Sequence, residues 1–558
     1  MRVLLVTVLL AAHAAHAAHV ASLVKLDAVT LANHYDRNLA FKSPIINKPD
    51  LARVLPDAKK AKVAAAVKAH SASFSAKALA VPTIKFLHGV ASGDPIANAV
   101  ILWTKVVPTD TTGTATVEYH VATDVDFKNI VKTGAVVTSS EVDFTVKVDA
   151  TGLQPETKYF YRFLSGGVAS PVGKTKTLML ADAKVDSFKA AILTCSNMPH
   201  GYFHAYGAIA RDDSIDVAIH VGDYIYEYDL AGYTAKNFNA PAANRVPIPN
   251  KVISSLLDYR TRHAQYKQDP NTLALHLAKP VIAVWDDHEF ADNAFANGAS
   301  NQDDKRDGPW GPRKLAGARA YHEYMPIRPD FIMDGAFKIY RSFQIGNLVD
   351  LFMVDTRIDG RSEQAKGNAA DRTLMGPEQT KWLYNGLLTS NKTWKVLGNQ
   401  VMFAPKPTKV LWIEINALSD DWNGYPTARQ GLLDTVTNAG IQNTVVITGD
   451  FHASVASDIF NGNRAVMTEY VGPSVTSVSP LNDYGWLNGI ADKVWGLINK
   501  GKRFSDFANH GYMAMQFTQT KLRTEYIWVD KFNASPSPPV VARVLEQAAG
   551  ANRITKVY

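Results

Sequence analysis

Four short apolar segments of this chain each end at side chains that could bind a metal ion or a phosphate group. The segments are FKAAILTCSN, DVAIHVGDYIYEY, PVIAVWDDHEF and NTVVITGDFH, and the side chains at their ends are Cys195, Asp223, Asp286, Asp287, Asp450 and His452. Short runs of apolar, β-branched residues followed by turn residues are typical of buried strands, and open α/β sheets bind ligands at the carboxyl ends of their strands. One run alone could be a core strand with a capping aspartate, but the four together predict one ring of ligands around one pocket.

The spacing within these segments allows neighbouring side chains to reach the same ion. Tyr226 lies three residues after Asp223, so one turn of backbone could return its phenol to the metal that Asp223 binds. Asp450 and His452 are two residues apart, which in an extended segment puts both side chains on one face. The combination predicts a carboxylate site for two or three metal ions.

Cys195 and His288 add two other kinds of chemistry. His288 directly follows Asp287, so one of these side chains can bind a metal while the other faces a substrate. Cys195 is the single cysteine of the chain and cannot form an internal disulfide. A thiol at a strand end beside carboxylates is better explained as a thiolate metal ligand, with a buried inert thiol as the alternative. Ser196 could be proposed as a nucleophile, but the sequence places no base beside it.

The elements that would position these residues fall into two regions. From about 186 to 480, apolar strands alternate with helical or loop segments, which predicts a mixed α/β core. Between 83 and 180 the pattern changes to short alternating runs such as TATVEYHVAT and KYFYRFLS, which predict a small antiparallel β-sandwich. Within it, TGLQPETKYFYRF resembles a fibronectin type III turn and strand with a tyrosine corner at Leu153, Pro155 and Tyr159.

Composition and the N-terminal sequence indicate a globular, exported protein. Of 558 residues, 46% are hydrophobic and 20% charged, which excludes a fibrous or disordered chain. The net charge of +7 comes from scattered side chains, so we expect no specific nucleic-acid binding. Residues 1–17 have the layout of a cleavable signal peptide, and 18–82 resemble a tether or pro-segment. No later segment is long and apolar enough to span a membrane, so we predict a secreted or extracellular protein.

Several motifs together resemble one known family. GVASGDP, TCSN, HVGDYIYEY, WDDHEFADN, DWNGYPTARQGLL and ITGDFH occur in this order between about Phe86 and Phe517. They resemble the PhoD-type alkaline phosphatases of the metallophosphoesterase superfamily. The resemblance implies an α/β fold with a metallophosphoesterase-like central β-sandwich flanked by helices, and an N-terminal fibronectin III-like β-sandwich domain. We place that N-terminal domain at 83–180, the metallophosphatase domain at 186–517 and a C-terminal extension or cap at 518–558.

The resemblance also implies a site with ferric iron and calcium ions rather than zinc. Cys195 and Tyr226 would be iron ligands, and Asp223 would be the bridging carboxylate. Asp287 would hold the second metal, with Asp286 as the alternative. The other implied residues are the metal ligands Asp450 and His452, the phosphate-contacting or leaving-group-protonating residue His288, and the weaker candidate Asn399. An aspartate in place of the superfamily's usual first histidine at 450 suits calcium, because hard cations favour oxygen ligands.

The function implied is a secreted, metal-dependent alkaline phosphatase that acquires phosphate. Its substrates would be small-molecule phosphomonoesters and phosphodiesters, which a metal-activated hydroxide would attack in line. One alternative keeps the same metal site but assigns a phospholipase D-like phosphodiesterase. Another is a non-catalytic cell-surface binding protein, which the presence of every motif ligand disfavours. The family usually has arginine where this chain has Lys105, in the N-terminal β-region.

Overall fold

A computed structural model describes residues 36–41, 84–109, 111, 113–328, 332–333, 336–363, 372–405, 409–410, 413–414 and 420–558 of the protein. The first half of its strands are β1 (Val90–Ile96), β2 (Ala99–Lys105), β3 (Thr114–Ala122), β4 (Ile130–Ser139), β5 (Thr145–Thr151), β6 (Lys158–Ser165), β7 (Val168–Ala169), β8 (Gly173–Lys176), β9 (Ser187–Leu193), β10 (Val217–His220), β11 (Pro280–Ala283), β12 (Ile332–Met333) and β13 (Ala336–Phe337). The second half are β14 (Arg341–Ile345), β15 (Val349–Met353), β16 (Trp394–Gly398), β17 (Lys409–Val410), β18 (Ile413–Glu414), β19 (Thr444–Thr448), β20 (Ser454–Asn461), β21 (Arg464–Val471), β22 (Lys502–Asp506), β23 (Gly511–Thr518), β24 (Lys521–Trp528), β25 (Val540–Ala548) and β26 (Lys556–Val557). The helices are α1 (His204–Arg211), α2 (Leu256–Lys267), α3 (Pro270–Ala278), α4 (Asp304–Asp307), α5 (Trp310–Tyr324), α6 (Pro377–Thr389), α7 (Pro426–Asn438) and α8 (Asn488–Ile498).

Two large mixed sheets contain most of these strands. The ten-stranded sheet has the order β26-β25-β24-β23-β9-β10-β11-β1-β2-β5, and the seven-stranded sheet has the order β14-β15-β16-β19-β21-β20-β22. In the larger sheet β9, β10 and β11 are parallel neighbours, and in the smaller sheet β15, β16, β19 and β21 are parallel. The central parallel strands are apolar on both faces, as strands covered on both sides must be.

The alternation of side chains along the smaller sheet shows how the layers pack. On β19, Val445 and Ile447 belong to the core that also contains Ile192 and Ala218 of the larger sheet. Val446, which points the opposite way, belongs to a second core together with side chains of α6 and α7. The two sheets therefore face each other, with helices outside them. This arrangement confirms the predicted α/β fold with a central β-sandwich flanked by helices.

The N-terminal region is a sandwich that shares a layer with the larger sheet. One layer is the sheet β4-β3-β6-β7 with β8 paired to β6, and the other consists of β1, β2 and β5. Val100 and Leu102 of β2 pack against Val117 and Tyr161 between these layers. The Tyr159 hydroxyl accepts a hydrogen bond of 2.8 Å from the backbone N–H of Gln154, which is the contact expected of a tyrosine corner.

The first and last segments that the structure describes pack on or extend these layers. Residues 36–41, within the segment predicted as a tether, lie against β5, where the Asn38 side chain donates a hydrogen bond of 3.0 Å to the Thr145 carbonyl. The segment 518–558 supplies β24, β25 and β26 at one edge of the larger sheet. The predicted signal peptide lies outside the described residues. Within the part of the chain that the structure describes, we find no helix that is long and apolar enough to cross a membrane.

Candidate active site

The predicted site residues lie in loops that directly follow four strands. Cys195 follows β9, Asp223 follows β10, and Asp286 and Asp287 follow β11. Because these three strands are parallel neighbours, their carboxyl ends meet at one edge of the larger sheet. The fourth loop, with Asp450 and His452, follows β19 of the smaller sheet. The site is therefore built from both layers of the sandwich.

Four of these residues have left-handed backbone conformations. The φ angles of Cys195, Asp223, Asp450 and His452 are 59°, 57°, 60° and 55°. Non-glycine residues adopt this region rarely, at a cost of order 1 kcal/mol, and persist there where the surrounding structure fixes them. Gly222 lets the loops after β10 and β11 approach, because a Cβ at this position would lie 2.3 Å from the Asp286 Cβ.

The side chains form three overlapping groups that could each hold a metal ion. Within each group the potential ligand atoms lie within 4.8 Å of one another. The groups are Cys195, Asp223 and His452; Asp223, Asp287 and His288; and Asp286, Asp287 and Asp450. The first two groups share Asp223 and the last two share Asp287. These two carboxylates therefore connect the three groups.

Tyr226 adds a phenol to the first group. Its hydroxyl donates a hydrogen bond of 2.7 Å to Asp223 Oδ2 and lies 3.2 Å from His452 Nε2. It also accepts a hydrogen bond of 2.6 Å from the Ser477 hydroxyl. His452 Nδ1 lies 3.0 Å from the Val478 carbonyl. A carbonyl oxygen only accepts, so Nδ1 carries the proton in this contact. In the neutral imidazole, Nε2 then has a free lone pair that can bind a metal ion. Sulfur, phenol, carboxylate and imidazole donors thus converge.

The buried acidic groups of the site need a compensating cation in order to ionise. Burial and the neighbouring Asp223 raise the pKa of Cys195 well above its ordinary value. Burial, followed by the charge of Asp223, likewise raises the pKa of Tyr226. Among the described residues, Asp223 Oδ1 and Asp286 Oδ2 are buried carboxylate oxygens without a hydrogen-bond partner. Buried anionic oxygens need a partner, and multivalent cations supply one at such sites, so the donor set fits metal ions.

His288 is held at the edge of the site by a second carboxylate. Its Nδ1 lies 2.7 Å from Glu227 Oε2, and its ring stacks on Tyr226 with a centroid distance of 4.1 Å. Burial disfavours the charged imidazolium, but the carboxylates of Asp287, Glu227 and Asp223 outweigh burial and raise the pKa of His288 well above its ordinary value. The pair with Glu227 fixes the ring and leaves Nε2 for another partner.

Arg357 is a central residue of the site that the motif analysis did not include. Its fully buried guanidinium bonds to Asp286, contacts Asp287 at 3.3 Å, and donates to Asp420 at 2.8 Å and to Asp450 at 2.7 Å. It therefore contacts all three carboxylates of the third group. A signal was present in the sequence, because LVDLFMVDTR is a fifth apolar run that ends at polar residues.

Glu289 is a second residue that the motif analysis did not assign. Its carboxylate accepts hydrogen bonds from the backbone N–H groups of Asp223 at 3.0 Å, Ile225 at 3.1 Å and Asp286 at 2.6 Å, and also from that of Tyr224. One buried side chain therefore joins the loop after β10 to the loop after β11.

Two candidates considered from the sequence have other partners. Asn399 donates to the Val401 carbonyl and to Thr448 and accepts a hydrogen bond of 2.9 Å from Trp422. These contacts fit a structural role. The buried Ser196 hydroxyl lies 3.0 Å from the Tyr224 carbonyl and accepts a hydrogen bond of 2.8 Å from Tyr206.

Comparison with known proteins agrees with this arrangement. Residues 190–526 match the family described as PhoD-like phosphatase, and residues 71–179 match its N-terminal domain. Alkaline phosphatase D of Bacillus subtilis (strain 168) is 36% identical over 414 residues, which cover 70% of this chain and 69% of that protein. A solved structure described as PhoD superposes with a TM-score of 0.77 at 30% identity, covering 86% of this chain and 93% of that chain.

These matches define a phosphoric ester hydrolase whose candidate site lies at the strand ends of a β-sandwich. The chain belongs to the PhoD-like phosphatase family. The expected small-molecule phosphate ester substrates follow from this membership, and the three ligand groups make metal binding plausible.

Proposed function

We propose that the enzyme hydrolyses phosphomonoesters and phosphodiesters at a centre that holds Fe(III) and Ca²⁺. The observation that carries this proposal is the chain of ligand groups linked by the buried Asp223 and Asp287. The donor types support the choice of metals. Thiolate, phenolate and imidazole suit a transition metal, whereas the all-carboxylate group suits a hard cation such as calcium. When bound, the ions would neutralise the ester oxygens and lower the pKa of a bound water.

Each residue has a defined task in this proposal. Cys195, Tyr226 and His452 would hold the iron, and Asp223 would contribute to both metals. Asp287 and Asp450, with Asp286 beside them, present oxygens to the calcium end. His452 is suited to binding as a neutral ligand, because burial, followed by the charge of His288, lowers its pKa to about 3.

His288 is the proposed general acid. Its Nδ1 is occupied by Glu227, so Nε2 is the nitrogen that can contact the phosphate or donate a proton to the leaving oxygen. The raised pKa of this imidazole supports a protonated resting form. The stack on Tyr226 keeps the ring beside the ligand groups.

The leader supports an extracellular site of action. Residues 1–17 have the pattern of a cleavable signal peptide, and release of phosphate outside the cell would serve phosphate acquisition. N-terminal sequencing of protein recovered from the culture medium tests this part, with a mature start after Ala17 as the expected result.

The activity is tested with p-nitrophenyl phosphate and bis-p-nitrophenyl phosphate. We expect chelation to abolish hydrolysis of both esters and calcium to restore it, and we expect elemental analysis to find iron and calcium in the active protein. The ratio of the two rates separates a phosphatase from a phosphodiesterase of the phospholipase D-like kind.

Two variants make this experiment specific. Asp223→Asn should lose both metal content and activity, because this carboxylate is shared by two ligand groups. His288→Asn should lose activity but retain the metals, because the proposal assigns His288 as the general acid, held by Glu227, and not as a metal ligand. Full activity of metal-free protein on either ester would contradict the proposal.

A further inference from the structure

Helix α8 carries apolar side chains that face solvent on one side. Trp486, in the 3₁₀ turn before the helix, is 77% exposed, and Ile490 and Leu497 are 58% and 87% exposed. Lys493 and Lys500 are also exposed. Exposure of several large apolar side chains at one place marks a binding surface more often than it marks ordinary protein surface.

Four of these five residues lie in one line. Trp486, Ile490, Lys493 and Leu497 are separated by four, three and four residues, which is the spacing of a single helix face, and Lys500 follows the extended Asn499 just beyond the end of the helix. We call Trp486, Ile490, Lys493, Leu497 and Lys500 the exposed stripe. Tyr484, which is 56% exposed, lies just before it.

The opposite side of α8 fixes the helix to the protein. Trp495 packs against Phe451 and Phe507 with ring distances of 5.7 and 5.5 Å. The Asn488 side chain donates a hydrogen bond of 2.6 Å to Asp506 and accepts one of 2.8 Å from the Phe507 N–H. The exposed stripe is therefore the outer face of an anchored helix and not an inner face that awaits packing.

The inner side of α8 contacts the loop of the candidate active site. Phe451, which contacts Trp495, is flanked in the chain by the proposed ligands Asp450 and His452. A surface on which the stripe docks would thus be separated from this loop by the width of the helix, about 10 Å.

We propose that the exposed stripe docks on an anionic lipid surface. Apolar and tryptophan side chains with lysines beside them are the composition of helices that lie in the plane of a membrane interface. Neither lysine of the stripe forms an ion pair with the described residues, and the segment's Asp492 is paired with Lys502. The stripe itself therefore carries positive charge that complements anionic headgroups, and the exposed Asp483 lies outside it, before Tyr484.

A second copy of the chain fits this face less well. In a twofold-symmetric pair the same patch meets itself, so the central Lys493 would face the Lys493 of the other copy. One face of an 11-residue helix, about 16 Å long, is also much smaller than the interface of a stable dimer.

Co-sedimentation of the full chain with lipid vesicles tests the proposal without any use of catalysis. We expect binding to vesicles of phosphatidylglycerol and phosphatidylcholine, with weaker binding at high salt and little binding to phosphatidylcholine alone. Exchange of Trp486, Ile490 and Leu497 for serine should abolish binding. Exchange of Lys493 and Lys500 for glutamine should weaken it roughly fivefold for each lysine.

Leu388→Ser is the matched control, because Leu388 is 53% exposed on α6 and lies outside the stripe. This variant should bind vesicles like the natural protein, and all variants should hydrolyse a soluble ester equally. If the protein fails to hydrolyse the ester, the proposed function is contradicted, whereas the proposed docking surface is not.

Several results would overturn the proposal. One is the absence of binding to anionic vesicles, and another is undiminished binding of the triple serine variant. The fluorescence of Trp486 is obtained as the difference between the natural protein and Trp486→Phe. Poor quenching of this fluorescence by acrylamide would show that another part of the chain covers the stripe. If the natural protein forms a dimer and does not bind vesicles, and the triple serine variant is a monomer, the stripe is the contact surface for a second copy of the chain.

Discussion

The geometry of the carboxylates in the site depends on one cation of the chain itself. Arg357 contacts Asp286, Asp287, Asp420 and Asp450 and is fully buried. Carboxylates this close repel one another, and a guanidinium fork reduces that repulsion while fixing individual oxygen atoms. With one oxygen of Asp286 held by Arg357, the other is left for a different partner.

Substitution of Arg357 by methionine should therefore destabilise the protein and weaken metal retention. Loss of one partner from a buried ion pair leaves uncompensated charge and costs about 3–5 kcal/mol. Urea denaturation gives the free energy of unfolding, and elemental analysis gives the metal content. Arg523→Met is the control, because Arg523 pairs with Glu525 at a partly exposed site where such pairs contribute about 0.2–1 kcal/mol. Equal losses in the two variants would contradict this role.

The sequence indicated the candidate ligands of the site but not the residues that support them. Cys195, Asp223 and His452 stood out because their types are chemically unusual at strand ends, and the structure brings them together. Their roles as ligands stay predictions. Arg357 and Glu289 were missed because arginine and glutamate are so common on protein surfaces that their types alone do not indicate burial. Only the packing of the loops shows that both are enclosed.

At the level of elements, Glu289 connects the ends of β10 and β11. Its carboxylate accepts backbone hydrogen bonds from the loops that carry Asp223 and Asp286. We expect Glu289→Gln to lower the free energy of unfolding by about 1–3 kcal/mol, because the new amide NH₂ cannot accept from backbone N–H groups that stay buried. Faster hydrogen exchange at residues 223–225 would locate the effect. Glu378→Gln on the exposed side of α6 should change neither quantity.

Strand β5 carries a lysine whose burial makes stability depend on pH. Lys147 is fully buried and donates a hydrogen bond to the His322 carbonyl, and burial lowers its pKa to about 7. Between pH 7 and the ordinary lysine value near 10.5, the unfolded chain therefore binds a proton that the folded chain does not. In this window stability should rise with pH, and Lys147 should contribute at most about 1.4 kcal/mol per pH unit.

Lys147→Met tests this assignment. The variant should lose part of the rise in the free energy of unfolding between pH 7 and 9, and it should be the more stable protein at pH 7. Urea denaturation at several pH values measures both. Lys128→Met, at a side chain that is 80% exposed, should retain the natural pH dependence. A natural slope in the Lys147 variant would show that other groups cause the rise.

At the scale of the whole molecule, the N-terminal region and the catalytic region share one sheet. Ser92 and Gly93 of β1 pair in parallel with Pro280 and Val281 of β11. The apolar run PVIAVW predicted β11, but β1 was quoted only as part of the motif GVASGDP and not as a strand, and its pairing with a distant segment depends on tertiary packing. For the same reason, the sequence predicted a sandwich near the N-terminus but did not show that one of its layers continues the larger sheet.

Metal ions at the proposed centre would link the two sheets of the molecule. Cys195, Asp223 and Asp287 come from the larger sheet, whereas Asp450 and His452 come from the smaller one. A ligand that binds only the folded state stabilises it by about 2.7 kcal/mol at a hundredfold excess over its dissociation constant. Metal removal should therefore lower the thermal midpoint of unfolding as well as the activity.

Differential scanning calorimetry before and after chelation, and again after calcium is restored, measures this effect. We expect the midpoint to fall and then to recover with calcium, and to recover less with magnesium, because magnesium tolerates fewer protein ligands in its coordination sphere. Asp223→Asn should respond less to chelation than the natural protein, since one shared ligand is already lost. An equal response of both proteins would mean that the stabilising ions do not depend on Asp223, the carboxylate that two of the three ligand groups share.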